Sequence, residues 1–208
     1  MKIYEGIDLS KHNRVLSWDD VKHKNNVDFV ILRAGGFYDG FYKDSKFERY
    51  YDACKNYDIP VGAYYDCGKI FVGNQTGIDY AKHFQNLLSG KQFEYPVFMD
   101  IEVTPAHLKR QITNAAFSFC EEMENAGFYV GIYASDVSGF IERLYYNELG
   151  RFDTWVARYG GKPNYIHNPG LWQYTSKGSV NGISGYVDKD KAYKDYESII
   201  KGAKLNGY

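Results

Sequence analysis

Tyr95-Pro96-Val97-Phe98-Met99-Asp100-Ile101-Glu102-Val103-Thr104-Pro105 is the stretch on which the fold turns. Its first eight residues form a short apolar run that ends in two acids, the pattern of a buried strand. The residues beyond it predict a helix over 104–126. Thr104 is placed as N-cap and Pro105 as first helical residue; Leu108, Ile112, Ala115, Phe119 and Met123 mark an apolar face, and Gly127 is the stop. The same alternation extends outward in both directions. Apolar runs at 3–8, 28–34 and 59–67 precede the stretch and one at 128–134 comes after it, with helical spacing between them. Strand followed by helix, repeated, implies parallel strands. One further helix fits over 137–149, after which the runs at 153–159, 171–175 and 186–188 lie too close together for crossover helices. The expected fold is α/β, a modified TIM-like barrel of five β/α units followed by three strands with few or no helices, with residues 1–208 as a single domain.

Bulk composition narrows the possible functions. The 208 residues suffice for one sizeable core. Lys and Arg number 25 against 26 Asp and Glu, interspersed to a net charge of -1, which leaves no cationic footprint for nucleic acid. Cys54, Cys67 and Cys120 are odd in number and lack C-x-x-C spacing, which argues against a disulfide framework or a zinc site and for folding in a reducing cytoplasm. Met1-Lys2-Ile3-Tyr4-Glu5 is not the apolar start of a signal peptide, and no stretch approaches the ~18 apolar residues of a membrane span. A monomer made in the cytoplasm, with no membrane partner and exported only with outside help, is expected. His12, His23, His83, His107 and His167 show no metal-ligand spacing, and Gly35-Gly36 lacks the rest of a nucleotide-binding loop, so no metal and no cofactor are expected. Aromatic residues make up 18% of the chain, including 21 tyrosines. Tyrosine suits a surface that meets sugar rings and hydroxyls, and it equally suits the edges of a core, so composition alone leaves both open.

In barrels of this type chemistry gathers at the C-terminal strand ends. The predicted ends carry Asp8, Asp66, Asp100, Glu102 and Asp188. Asp100 and Glu102 are two apart on one strand, so their side chains share a face with Cα atoms ~6.6 Å apart. Crowded carboxyls cannot all ionise together, which leaves one protonated beside charged neighbours, as glycoside hydrolysis requires. Asp8 alone, just before Leu9-Ser10-Lys11, also reads as a turn or helix cap; the convergence of several acids is what points to a site. Two rival functions fit less well. A two-metal nuclease also uses Asp-x-Glu but calls for a basic groove this chain lacks. A sugar-binding protein that kept the fold and lost the chemistry has little use for four crowded acids.

Seven segments then carry a resemblance that runs in order over nearly the whole chain. They are Gly6-Ile7-Asp8-Leu9-Ser10, Phe29-Val30-Ile31-Leu32-Arg33-Ala34, Asp100-Ile101-Glu102, Tyr129-Val130-Gly131-Ile132-Tyr133-Ala134, Trp155-Val156-Ala157, Trp172-Gln173-Tyr174-Thr175-Ser176-Lys177-Gly178 and Gly182-Ile183-Ser184-Gly185-Tyr186-Val187-Asp188. Together they resemble glycoside hydrolase family 25, the Chalaropsis-type and phage-type lysozymes. The resemblance implies an N-acetylmuramidase acting on bacterial peptidoglycan, with Glu102 as general acid and Asp100 supporting an oxazolinium-like or oxocarbenium-like centre. It further implies that Asp8 and Asp188 line the same cleft, and that Tyr64, Tyr133, Trp155, Trp172 and Gln173 contact sugar. Net retention assisted by the substrate's acetamido group goes with the resemblance; the Asp100–Glu102 spacing alone leaves retention and inversion open. The chain departs from the family pattern at Tyr65-Asp66, where a histidine and an aromatic residue usually come after Ala63-Tyr64, and at Lys189-Asp190, where a hydrophobic or polar residue and Asn are commoner.

Overall fold

The computed structural model describes residues 2–208. β1 (Tyr4–Leu9) leads through β2 (Arg14–Val15) and α1 (Trp18–His23) to β3 (Phe29–Phe37), which folds back into β4 (Phe41–Lys43). Then α2 (Phe47–Asn56), β5 (Val61–Asp66), α3 (Asn74–Leu88), β6 (Val97–Asp100), α4 (Lys109–Asn125) and β7 (Val130–Ser135) alternate. The chain continues with β8 (Asp153–Ala157), β9 (Leu171–Gly178), β10 (Ile183–Ser184), β11 (Val187–Ala192) and α5 (Tyr196–Ala203). Eight of these strands, β1, β3, β5, β6, β7, β8, β9 and β11, close into a barrel. Neighbours are parallel from β1 through β9, whereas β11 runs antiparallel to both β9 and β1.

Alternation along each strand divides the apolar residues into two sets. Val30, Leu32, Val61, Ala63, Val97, Met99, Val130 and Ile132 face outward and are buried under the helices with Phe84, Ile112 and Phe119. Phe29, Ile31, Phe98, Tyr133, Trp155 and Leu171 face inward and fill the barrel, and Tyr196 and Ile200 of α5 pack against them. The interior rings are large, and inward glycines make room for them. A methyl on Gly131 would stand 2.5 Å from the Phe98 ring, and one on Gly6 2.3 Å from Phe29. Gly131→Ala is therefore expected to lower stability by ~1–3 kcal/mol through overpacking, read as a lower denaturant midpoint at unchanged slope. An unchanged midpoint would remove this account of the interior.

The expected barrel is found, with three differences in its parts. The helix expected over 137–149 is replaced by irregular turns and a short 3₁₀ helix, Tyr146–Glu148. Backbone bonds there switch between i−4 and i−5 partners, as in Ile141→Val137 and Glu142→Val137, and Gly139 packs 2.5 Å (as a built methyl) from the Ala134 side chain. No regular ladder can propagate through that mixture. Thr104 does not cap α4. Its hydroxyl donates to the Gly68 carbonyl at 2.9 Å, and a 3₁₀ turn, Ala106–Leu108, precedes the helix at Lys109. The predicted stop holds, since Gly127 takes φ +84. Finally, an unexpected helix, α5, comes after the last strand. No described helix is long and apolar enough to cross a membrane.

Candidate active site

Strand parity explains why acids meet at one end of the barrel. Above the apolar interior, the next inward positions are Asp8 on β1, Arg33 on β3, Tyr64 and Asp66 on β5, Asp100 on β6, Tyr133 on β7 and Gln173 on β9. Cross-strand register sets them side by side: Asp66 opposite Asp100, Asp100 opposite Tyr133, Tyr133 opposite Trp155, and Asp8 opposite Asp188. Asp8, Tyr64, Asp100, Glu102, Tyr133, Trp155, Gln173 and Asp188 line one cavity of about 90 Å³. Two grooves of about 620 Å³ lie elsewhere, one around His167 and Lys194 and one around Glu5, Asp28 and Tyr95. The first has no acid in its lining; the second carries Glu5, Asp28, Asp58, Asp195 and Glu197 but lies where β1, β3, β5 and β6 begin, at the opposite end of the barrel from the C-terminal strand ends. The small cavity has room for the atoms of one reacting bond, while exposed Tyr159 and Tyr186 stand on adjoining segments, where a longer ligand could lie.

Two expected positions are reached by other routes than the sequence implied. β6 ends at Asp100, and Glu102 comes next in a bend, where the residue is exposed while its side chain lines the cavity. Asp188 is not at the C-terminal end of a parallel strand. Because β11 is reversed, Asp188 reaches the cavity from near the start of its strand. Trp172 does not line the cavity. It sits beside Gln173 in β9, so alternation sends it to the outer face, where its indole N–H donates to the Arg158 carbonyl at 2.8 Å and its ring meets Tyr174.

Gln173 organises the floor. Its Oε1 accepts the hydroxyls of Tyr133 at 2.9 Å and Tyr159 at 2.7 Å, and its Nε2 donates to Asp8 Oδ2 at 2.8 Å. Tyr133 Oη is also 3.5 Å from Glu102 Oε1. Asp66 is held to the side, accepting from the Tyr42 hydroxyl and the Gly68 amide, both at 3.0 Å. Asp100 Oδ1 is buried without a partner.

The carboxyls raise one another's pKa. Burial pushes Asp100 well above the usual carboxylate range, and the charges of Glu102 and Asp66 add to that while Arg33 opposes it. Burial of its carboxyl also raises Glu102, reinforced by Asp66 and opposed by the Tyr133 hydroxyl and Arg143. Asp8 is pushed well up by burial and then by Asp190 and Asp188, and Asp188 is raised by burial. All four carboxyls are thus harder to ionise than free acids, and they share one cleft. No cluster of His, Cys, Asp and Glu among the described residues is arranged to hold a metal ion.

Sequence reasoning assigns no site role to Arg33, Tyr159 or Asp190, although Asp190 stands out as a departure from the family pattern. The signal for each was parity: Tyr159 continues the 155, 157 series of β8, Asp190 continues 188 on β11, and Arg33 continues 29, 31 on β3.

The sequence profile of Glycosyl hydrolases family 25 matches residues 7–183. The chain belongs to this family. It is 29% identical over 189 residues to the autolytic lysozyme of Clostridium acetobutylicum, an alignment that takes in 90% of this chain. It spans about half of that curated relative, 55% of its length. The CTP1L endolysin superposes with TM-score 0.80 at 25% identity, over 97% of this chain and 70% of that one. The modular autolysin LytC of Streptococcus pneumoniae gives TM-score 0.81 at 25% identity, over 92% of this chain and 47% of LytC. LytC has also been solved in complex with a synthetic peptidoglycan ligand. Members of this family therefore share the barrel across chains of different length.

Proposed function

We propose that the chain is a lysozyme of the N-acetylmuramidase kind, hydrolysing the β-1,4 bond between N-acetylmuramic acid and N-acetylglucosamine in bacterial peptidoglycan. Residues 1–208 act as one catalytic domain, as a monomer on glycan strands. The observation that carries this reading is the convergence of Asp8, Asp100, Glu102 and Asp188 on one cavity walled by Tyr64, Tyr133 and Trp155. Membership of family 25 and likeness to an autolytic lysozyme, an endolysin and a peptidoglycan-liganded autolysin support it. The cell wall is then the place of action, reached by phage-type release or another non-classical route.

In this reading Glu102 keeps its proton and gives it to the glycosidic oxygen as the C1–O bond breaks, the bonding pair leaving with that oxygen. The acetamido carbonyl oxygen of the muramic acid closes on C1. Asp100, whose Oδ1 lacks a partner within the protein, accepts from the acetamide N–H and stabilises the oxazolinium charge. Glu102, now a carboxylate, takes a proton from water as the water oxygen attacks C1 and the bond from C1 to the acetamido oxygen breaks, its electron pair returning to the acetamide, so the configuration is retained overall. A non-catalytic sugar-binding role on the same fold gives no reason to crowd four carboxyls.

The test is digestion of purified peptidoglycan, borohydride reduction and mass spectrometry of the new reducing ends, with and without EDTA. Reduced muramic acid ends, insensitive to EDTA, are expected. Glucosamine ends would overturn the bond assignment, and intact glycan would favour the sugar-binding role.

A further inference from the structure

β11 carries a second inward acid below Asp188, and it has no access to solvent: Asp190 is 0% exposed. Its Oδ1 accepts the Trp155 indole N–H at 2.8 Å. Its Oδ2 is buried with no donor directed at it, and Asp8 stands on the paired strand β1 on the same inward face, diagonal to it, since Gly6 lies opposite Asp190 and Asp8 opposite Asp188. Asp8 is better supplied, since Gln173 donates to its Oδ2 at 2.8 Å and it opens into the cavity. The charged groups nearest the pair are acids too: Asp188 on β11, Asp100 on β6 and Glu5 on β1, with the Tyr174 phenol on β9 beyond. The flanking Lys189 and Lys191 alternate to the other face, where Lys191 pairs with Glu5 at 3.5 Å.

Two ionised carboxyls on neighbouring inward positions of paired strands, one of them fully buried, are strongly disfavoured. A single proton removes the repulsion and also satisfies the orphaned oxygen. Of the two acids, Asp190 Oδ2 is the oxygen that lacks both water and a donor, so the proton belongs there.

We propose that Asp190 is a positioning residue that stays protonated in the working enzyme and donates its Oδ2–H to the Asp8 carboxylate, holding Asp8 as an oriented anion at the floor of the cleft. Asp8 is then clamped from two sides, by Gln173 and by Asp190, and Trp155 is tied to the same clamp. The role in catalysis rests on the glycosidase reading of the cleft. The position of the proton does not.

The test has two arms. Carboxyl carbon NMR of aspartate-labelled protein assigns Asp190 as the signal lost in D190N and Asp8 as the signal lost in D8N. At neutral pH the Asp190 signal is expected at the position of a protonated acid and Asp8 at that of a carboxylate; an ionised Asp190 overturns the proposal. Should D190N fail to fold, D8N still reports, because exchanging the charged acceptor for a neutral amide must move the Asp190 signal. In the second arm D190A lowers kcat on peptidoglycan by roughly ten- to a hundredfold, the loss of one charge-assisted hydrogen bond, whereas D190N, whose amide can donate in the same direction, recovers most of it. Equal losses in D190A and D190N overturn the clamp. If the native chain cleaves no peptidoglycan, the glycosidase reading fails while the NMR arm still decides where the proton lies.

Discussion

Glu102→Gln is expected to lower kcat on purified peptidoglycan by roughly 10²–10⁴-fold, the usual contribution of a general acid, with KM little changed. Glutamine keeps the size of the side chain and can still meet the Tyr133 hydroxyl, 3.5 Å away in the native site. It cannot pass a proton to a departing oxygen. The pH dependence of the native enzyme derives from the same group. Burial of the carboxyl and the charge of Asp66 raise Glu102 above its ordinary value, so the acid form persists through that ordinary value, and kcat falls only as pH rises through the raised one. Release of reducing ends against pH measures both effects. A variant within tenfold of the native rate, or a native rate that rises on the alkaline side, would remove Glu102 from the role of acid.

Trp155→Ala is expected to cost ~3–5 kcal/mol of stability, the range for truncating a large buried aromatic. The indole is 1% exposed and meets Tyr64, Phe98 and Tyr133 at ring-centroid distances of 5.9, 5.2 and 4.5 Å. Those rings are themselves anchored in strands of a closed barrel, so the space left by truncation cannot readily collapse. The variant also strips Asp190 Oδ1 of its 2.8 Å donor, which adds the penalty of an unsatisfied buried polar atom. Denaturant unfolding measures the loss. Trp155→Phe separates the two contributions, since it keeps most of the packing and removes only the N–H. A loss below ~1.5 kcal/mol for Trp155→Ala would mean that the interior closes around the gap.

Much of this architecture was legible in the sequence because period-2 alternation is a local signal. Asp8, Tyr64, Asp100, Tyr133 and Trp155 can be placed on inward positions from their own strands, and each lines the cavity. The illegible remainder depends on partners distant in sequence. Nothing local to 187–192 reveals that this strand runs backward. Its direction is set by pairing with β1 and β9. Family resemblance assigns both Trp172 and Gln173 to the cleft, yet adjacent strand residues face opposite ways, and parity separates them. The segment 137–149 has helical spacing at Phe140 and Leu144, both buried, but the close approach of Gly139 to Ala134 fixes turns in place of a helix.

The reversed last strand also sets when the cleft can exist. Asp8 is in the first strand to be made, yet its register partner is Asp188 and its amide donor is Gln173. A nascent chain that has just extended past Glu102 already carries Asp8, Asp100 and Glu102, but it lacks Asp188 and the strands that complete the wall. Pairing across more than 160 residues (Asp8 with Gln173, 165 apart) is slow relative to local contacts. Assembly of the cleft is thus a late event in the life of each molecule, and a polypeptide interrupted before Val187 lacks both Asp188 and the strand that closes the barrel between β9 and β1.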